Sequence, residues 1–395
     1  MNLLSAAERL AALDRSSVTL NTGSCLHTVD KHSPCQACDS ICPADAIRSG
    51  KPPHLEADKC QACLACLQVC PTGAFQADDT IPDLLNCAAR LETESLELLC
   101  EHIPQPEKGL KEDGGAIRIK GCLVGIGVGG YLALLALGLE EVIVRQDACS
   151  GCPWGEVKAQ IEAQVASAQK LLSAWKREEA LRLSGPLEKP ALFNRPVWEA
   201  GNPPLSRRDL FRLATRQGQL AAARVLSADH PSSGKHASRQ RLRMLAAIAH
   251  FPETTGSSRS LLLEGLGFAV LTISEECTAC GVCARVCPTG ALQFTGQEDL
   301  HYQLDFDPKI CIGCGACRVV CGPQAIEMQA KPTFEQVFGS QSPVNLIAGD
   351  LAHCERCQSP YAARPGSRLC PPCEFRQKNP FGSFLPPGSR GNPHK

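Results

Sequence analysis

The chain is short of several features that would place it in a common class. Only 3 tryptophans and 3 tyrosines occur in 395 residues, and the Pro-, Ser- and Arg-rich stretch 183–265 holds no aromatic cluster. Formal net charge is -1, which argues against a nucleic-acid binder that relies on overall basicity. The arginines from Arg207 to Arg243 therefore read as a solvated face or a partner-docking surface. The opening MNLLSAAERLAALDRSSVTL has no cationic start, apolar core or small-residue cleavage site, so export is not expected. SRRDLFRL at 206–213 looks like a twin-arginine motif, but it is internal and no apolar stretch follows; it reads as a helix start with a basic face. The uncharged run 121–139 falls short of a bilayer span and carries six glycines, which favours a buried strand-loop-helix. No nucleophile beside a base and no paired carboxylates can be picked out.

Cysteine is what the chain has in excess, 25 of them. Without an export signal they point to a reducing cytoplasm and metal-bound thiolates rather than disulfides. The length exceeds what one hydrophobic core supports, so several compact units are expected. CTACGVCARVCPTGAL and CIGCGACRVVCGPQAI set out the plainest pattern. Three thiolates two residues apart curl around one cubane, and the fourth, beyond a short helical turn, points at its neighbour. Cys277, Cys280, Cys283 and Cys321 then hold one [4Fe-4S] cluster, and Cys311, Cys314, Cys317 and Cys287 the other. Structural zinc or free thiols are the bland alternative. The late proline in CGPQAI changes the local turn, not the ligand. The pattern resembles the dicluster bacterial-type ferredoxins.

The same arrangement recurs near the start with an interruption. CQACLACLQVCPTGAF supplies Cys60, Cys63 and Cys66, with Cys42 crossing over, and gives Cys70 to a second cubane. That cubane has Cys35 and Cys38 but needs another thiolate, and Cys25 is the unassigned cysteine upstream. Nine intervening residues make a loop whose closure metal binding can offset. The alternative is a three-cysteine [3Fe-4S] site, or an incomplete cubane, with Cys25 free.

Between the repeats the character changes. ESLELLCEH, GAIRIKGC and EEVIVRQDACSGC read as short buried strands, each delivering cysteine at or just after its C-terminal end. GGYLALLALGL and the segment from Pro153 to Leu183 read as helices. In a parallel α/β unit ligands gather at the carboxyl ends of strands, so Cys100, Cys122, Cys149 and Cys152 are placed to converge. Two rival readings compete. Gly125, Gly127 and Gly130 stand in G-x-G-x-x-G register, with Asp147 near where a ribose would be held, and Cys149-x2-Cys152 could be a redox-active pair. IKGC, a helix and VIVRQDACSGCPWGE together resemble the delta subunit of methyl-viologen-reducing hydrogenase. That resemblance implies a [2Fe-2S] centre on Cys100, Cys122, Cys149 and Cys152, with Cys87 a substitute ligand or an ordinary buried thiol.

The last group, CERCQSPYAARPGSRLCPPC, is two C-x2-C knuckles twelve residues apart. Cys354, Cys357, Cys370 and Cys373 suit closed tetrahedral zinc, with rubredoxin-type iron the alternative and His353 a bystander. The expected fold is multidomain α+β. It runs as a dicluster ferredoxin domain (1–81), a small α/β domain (82–182), a basic, partly helical linker (183–265), a second dicluster domain (266–335) and a zinc-ribbon-like tail (336–395). The expected function is electron relay through four [4Fe-4S] clusters and one [2Fe-2S] cluster, with zinc in the tail. The partner would be a redox protein such as a formate dehydrogenase, hydrogenase or flavoprotein subunit, with no nucleic acid and no membrane span. The alternatives are a redox enzyme using the glycine loop or the Cys149/Cys152 pair, and a scaffold whose clusters are structural.

Overall fold

A computed structural model describes residues 18–78, 80–185, 194–203, 217–227, 235–254, 259–296, 300–339 and 342–379. The N-terminal stretch and the SRRDLFRL segment lie outside the described residues. The chain divides into two compact units, Met1–Arg259 and Ser260–Lys395.

The first unit begins with two small antiparallel ribbons. Strand β1 (Thr19–Leu20) pairs with β4 (Phe75–Gln76), and β2 (Ile47–Arg48) with β3 (His54–Leu55). Val18, Ile47, Leu64 and Phe75 fill the space between them together with Cys66 and Cys70. So small an apolar core leaves the cysteine-bearing loops as the bulk of the domain.

A five-stranded, all-parallel sheet follows. Its strands are β5 (Ser95–Leu99), β6 (Gly115–Arg118), β7 (Glu141–Val144), β8 (Leu181–Leu183) and β9 (Val197–Glu199), in the order β8-β7-β5-β6-β9. Central β5 is buried from Leu96 to Leu99, as expected of a parallel strand covered on both faces. The helix Lys158–Leu172 is shorter than its sequence suggests. Lys176 takes a left-handed backbone (φ 55°), the chain turns, and Leu181–Leu183 becomes an edge strand instead of more helix. The stretch expected as a linker supplies the opposite edge, β9, which pairs with β6, and the helix Arg239–His250.

That helix explains the glycine at 129. A Cβ at Gly129 would stand 2.8 Å from the Gln240 carbonyl oxygen and 2.9 Å from the Met244 nitrogen, so the helices Gly127–Ala136 and Arg239–His250 touch backbone to backbone there. Among the described residues no helix is long and apolar enough to cross a membrane.

The second unit holds a two-stranded ribbon, β10 (Val270–Ile273) with β13 (Ile326–Gln329), and a four-stranded antiparallel sheet. The sheet order is β11 (Leu292–Gly296), β12 (His301–Phe306), β14 (Val344–His353), β15 (Pro360–Ala362). One sheet therefore runs across the boundary expected near residue 336. Phe294 and Tyr302 stack at 6.2 Å, and Tyr302 packs with Leu351, Ala362 and the cysteine-loop residue Ala279. The helix Pro371–Lys378 closes the described chain.

Candidate metal centres

Each regular C-x2-C-x2-C loop is curled by the same backbone device. The residue before the second cysteine and the residue after it both take left-handed φ: Ala62 and Leu64, Ala279 and Gly281, Gly313 and Gly315. Alternating hands turn successive cysteines toward one centre, and non-glycine residues at such angles cost about 1–3 kcal/mol each. Gln36, Ala37 and Asp39, around Cys38, do not share this device.

Instead, the interrupted copy is closed by its insertion. Cys25 opens a helical turn, Leu26–Val29, from which buried His27 places Nε2 2.8 Å from the Cys35 carbonyl oxygen. The thiol of Cys38 is pushed up to about 11, first by burial and then by the charges of Asp39, Cys70, Cys35 and Cys25. Cys25, Cys35, Cys38 and Cys70 thus lie together. The companion group is equally clear, since burial and then Cys63, Cys60 and Cys42 push Cys66 upward.

The second unit repeats both groupings. Cys283 is raised to about 11 by burial, with Cys280, Cys277 and Cys321 adding to it. Cys317 is raised to about 12 by burial, then by Cys311, Cys314 and Cys287. The first of these groups lines a recess walled by Phe294 and Tyr302. Several sulfurs also accept backbone hydrogen bonds from four residues on: Ala46 N to Cys42 Sγ at 3.3 Å, Ala74 N to Cys70 Sγ at 3.2 Å and Ala325 N to Cys321 Sγ at 3.3 Å. Hydrogen bonds to ligand sulfurs are one of the features that set the potential of a bound cluster.

In the parallel sheet, Cys100 directly follows β5, while Cys122 and Cys149 lie just beyond the ends of β6 and β7. With Cys152 they line a recess that His102 and Trp154 help to wall. Burial pushes Cys122 up to about 12, with Cys100, Cys63 and Cys149 contributing, and Cys149 up to about 11, with Cys100 and Cys152 contributing. Packed sulfurs that resist ionising one by one become thiolates once a cation compensates them, so the donor set fits an iron centre. Cys87 stands apart. It is fully buried in the helix Ile81–Ala88, and its charged neighbours are Arg90 and Glu199.

The glycine register is filled by protein. A Cβ at Gly127 would meet the side-chain amides of Gln68 and Gln240, and Asp147 is held by Arg145 through bonds of 2.8 and 2.6 Å. What sequence reasoning missed is Gln68, whose role depends on a contact 57 residues away in the chain.

At the C-terminus the sulfurs of Cys354, Cys357, Cys370 and Cys373 lie within 4.8 Å of one another, close enough to hold a metal ion. Cys354 follows β14, and Cys370 caps the helix that carries Cys373. His353 places Nδ1 3.0 Å from the Gln358 carbonyl oxygen.

None of the curated proteins compared with the chain matches it. Residues 53–76 and 270–293 each match the 4Fe-4S binding domain; the spans contain Cys60, Cys63, Cys66 and Cys70, and Cys277, Cys280, Cys283 and Cys287. The chain thus carries two segments that match the 4Fe-4S binding domain, and the chemistry these segments indicate is iron-sulfur electron transfer.

Proposed function

We propose that the protein is an electron relay between a partner oxidoreductase and an acceptor. In this reading, residues 1–81 and 266–335 each carry two [4Fe-4S] clusters. Cys25, Cys35, Cys38 and Cys70 form the first ligand set, and Cys42, Cys60, Cys63 and Cys66 the second. Cys277, Cys280, Cys283 and Cys321 form the third, and Cys287, Cys311, Cys314 and Cys317 the fourth. Cys100, Cys122, Cys149 and Cys152 hold a [2Fe-2S] centre in an α/β domain like the hydrogenase delta subunit, and the C-terminal knuckles hold structural zinc.

The observation that carries the reading is the gathering of widely separated cysteines into groups of four. The alternatives have less behind them. A thiol-exchange pair works through a thiol of depressed pKa, whereas burial raises Cys149. A nucleotide would need the space beside Gly127 that Gln68 and Gln240 fill. The partner is proposed to be a cytoplasmic redox protein, such as a formate dehydrogenase, hydrogenase or flavoprotein subunit. Iron, sulfide and zinc analysis with EPR on anaerobically purified full-length protein tests the assignment. Four cubanes, one binuclear centre and one zinc per chain are expected; clusters that resist reduction would make the protein a scaffold instead.

A further inference from the structure

Two contacts tie the central cysteine recess to one particular ferredoxin loop. On one side, the indole Nε1 of Trp154 donates to Oε1 of Gln61. Trp154 stands two residues beyond Cys152 and its backbone N lies 3.4 Å from the Cys152 sulfur, while Gln61 directly follows Cys60. The Trp154 ring also meets His102, two residues beyond Cys100, edge-on at 5.3 Å.

On the other side, Gly125, three residues beyond Cys122, accepts a 2.8 Å bond from Gln68 Nε2, and Gln68 lies two residues beyond Cys66. A Cβ on Gly125 would stand 3.2 Å from Leu64 Cβ and 3.4 Å from the Cys63 carbonyl oxygen, so the segment after Cys122 lies directly against the Cys63 loop. Both contacts land on the loop from Cys60 to Gln68. Leu64, Leu123, Val157 and Ile161 are all buried nearby, so the Gly125–Gln68 side of the junction is closely packed, while the Trp154–Gln61 bond lies at the surface.

We infer that the centre on Cys42, Cys60, Cys63 and Cys66 exchanges electrons directly with the centre on Cys100, Cys122, Cys149 and Cys152, coupled through Trp154–Gln61 and Gly125–Gln68. The inference rests on the proposed function, because it takes both groups to hold iron-sulfur centres. One electron passes per step: the reduced cubane is oxidised from 1+ to 2+ and the oxidised binuclear centre is reduced from 2+ to 1+. No bond breaks and no proton moves, and the reverse step balances in the same way. The other N-terminal group, with Cys25, makes neither contact and takes no part in this exchange.

The test uses the full chain, purified anaerobically and fully reduced. The EPR signal of the central centre is expected to be split or broadened, and to relax faster, through its paramagnetic neighbour. After flash photoreduction, electron exchange between the two is expected to slow several-fold in Trp154→Phe and Gln61→Ala at unchanged iron and sulfide content. Trp175→Phe, whose indole bonds the Pro252 carbonyl, is the control that leaves the rate alone. Full iron content with no spin coupling, or with the same rate in all three variants and the wild type, overturns the inference and leaves the proposed function standing. A central recess that binds no iron overturns both, and iron analysis tells that case from the first.

Discussion

Arg145 Nη1 stands 2.7 Å from Glu97 Oε2, with neither side chain more than 1% exposed. Arg195 Nη2 reaches the same oxygen at 2.6 Å, and Glu97 Oε1 accepts from Leu110 N at 2.8 Å. Arg145 in turn grips both oxygens of Asp147, two residues before Cys149. The centre of the sheet thereby fixes the start of the Cys149–Cys152 loop. Glu97→Gln leaves buried Arg195 without this counter-charge and Arg145 with Asp147 alone, so a loss of about 3–5 kcal/mol is expected in urea unfolding followed by circular dichroism.

Glu141, at the start of β7, offers a pH-dependent contribution. Burial pushes its carboxyl up, but Lys111, Arg182 and Ser95 outweigh that and hold it below the ordinary value of 4.5. A carboxylate depressed in the folded state stabilises fully above its unfolded pKa and loses that contribution as pH falls through the folded value. Glu141→Gln should therefore cost about 1–2 kcal/mol near neutral pH. The gap from wild type should close in acid, and a pH series of unfolding midpoints checks this.

Arg364 is a charge poised over a candidate cubane. Its Nη2 lies 3.0 Å from the Glu276 carbonyl oxygen, next to Cys277, and Ala362 N donates to the Thr278 carbonyl at 3.3 Å. A nearby cation favours the more negative, reduced state. Arg364→Gln should lower one cluster potential by tens of millivolts, since a partly exposed unit charge is worth roughly 1 kcal/mol and 59 mV is tenfold for one electron. Arg364→Lys, which keeps the charge, should move it less; a redox titration followed by EPR reads both.

Cys25→Ser should strip one iron from the interrupted cubane and give a [3Fe-4S] signal in oxidised protein. His27→Ala should weaken the same centre, because it frees the turn that presents Cys25 to Cys35. Unchanged iron, sulfide and EPR in both variants would remove Cys25 from the ligand set.

The cysteine loops were legible because their information is local. A spacing of two residues, with left-handed angles at fixed places, curls the chain wherever the motif occurs, as at Cys60–Cys66 and Cys311–Cys317. Strands β5, β6 and β7 were legible as well, since each is a short, mostly apolar run of the kind a buried parallel strand needs. Strand β8 was not, because Glu178–Leu183 continues a good helical pattern and only the left-handed turn at Lys176 ends it.

The sequence by itself determined which residues could bind metal and how each loop bends, through the spacing of 25 cysteines and the residues between them. Only the tertiary structure showed what packs against Gly127 and Gly129. In the local sequence their missing side chains admit a phosphate cradle or packing space, and the fold places Gln68 and Gln240 against Gly127 and the backbone of the helix Arg239–His250 against Gly129. Contacts of that range leave no periodicity to read, because nothing in the local chain depends on the partner until the fold brings it near.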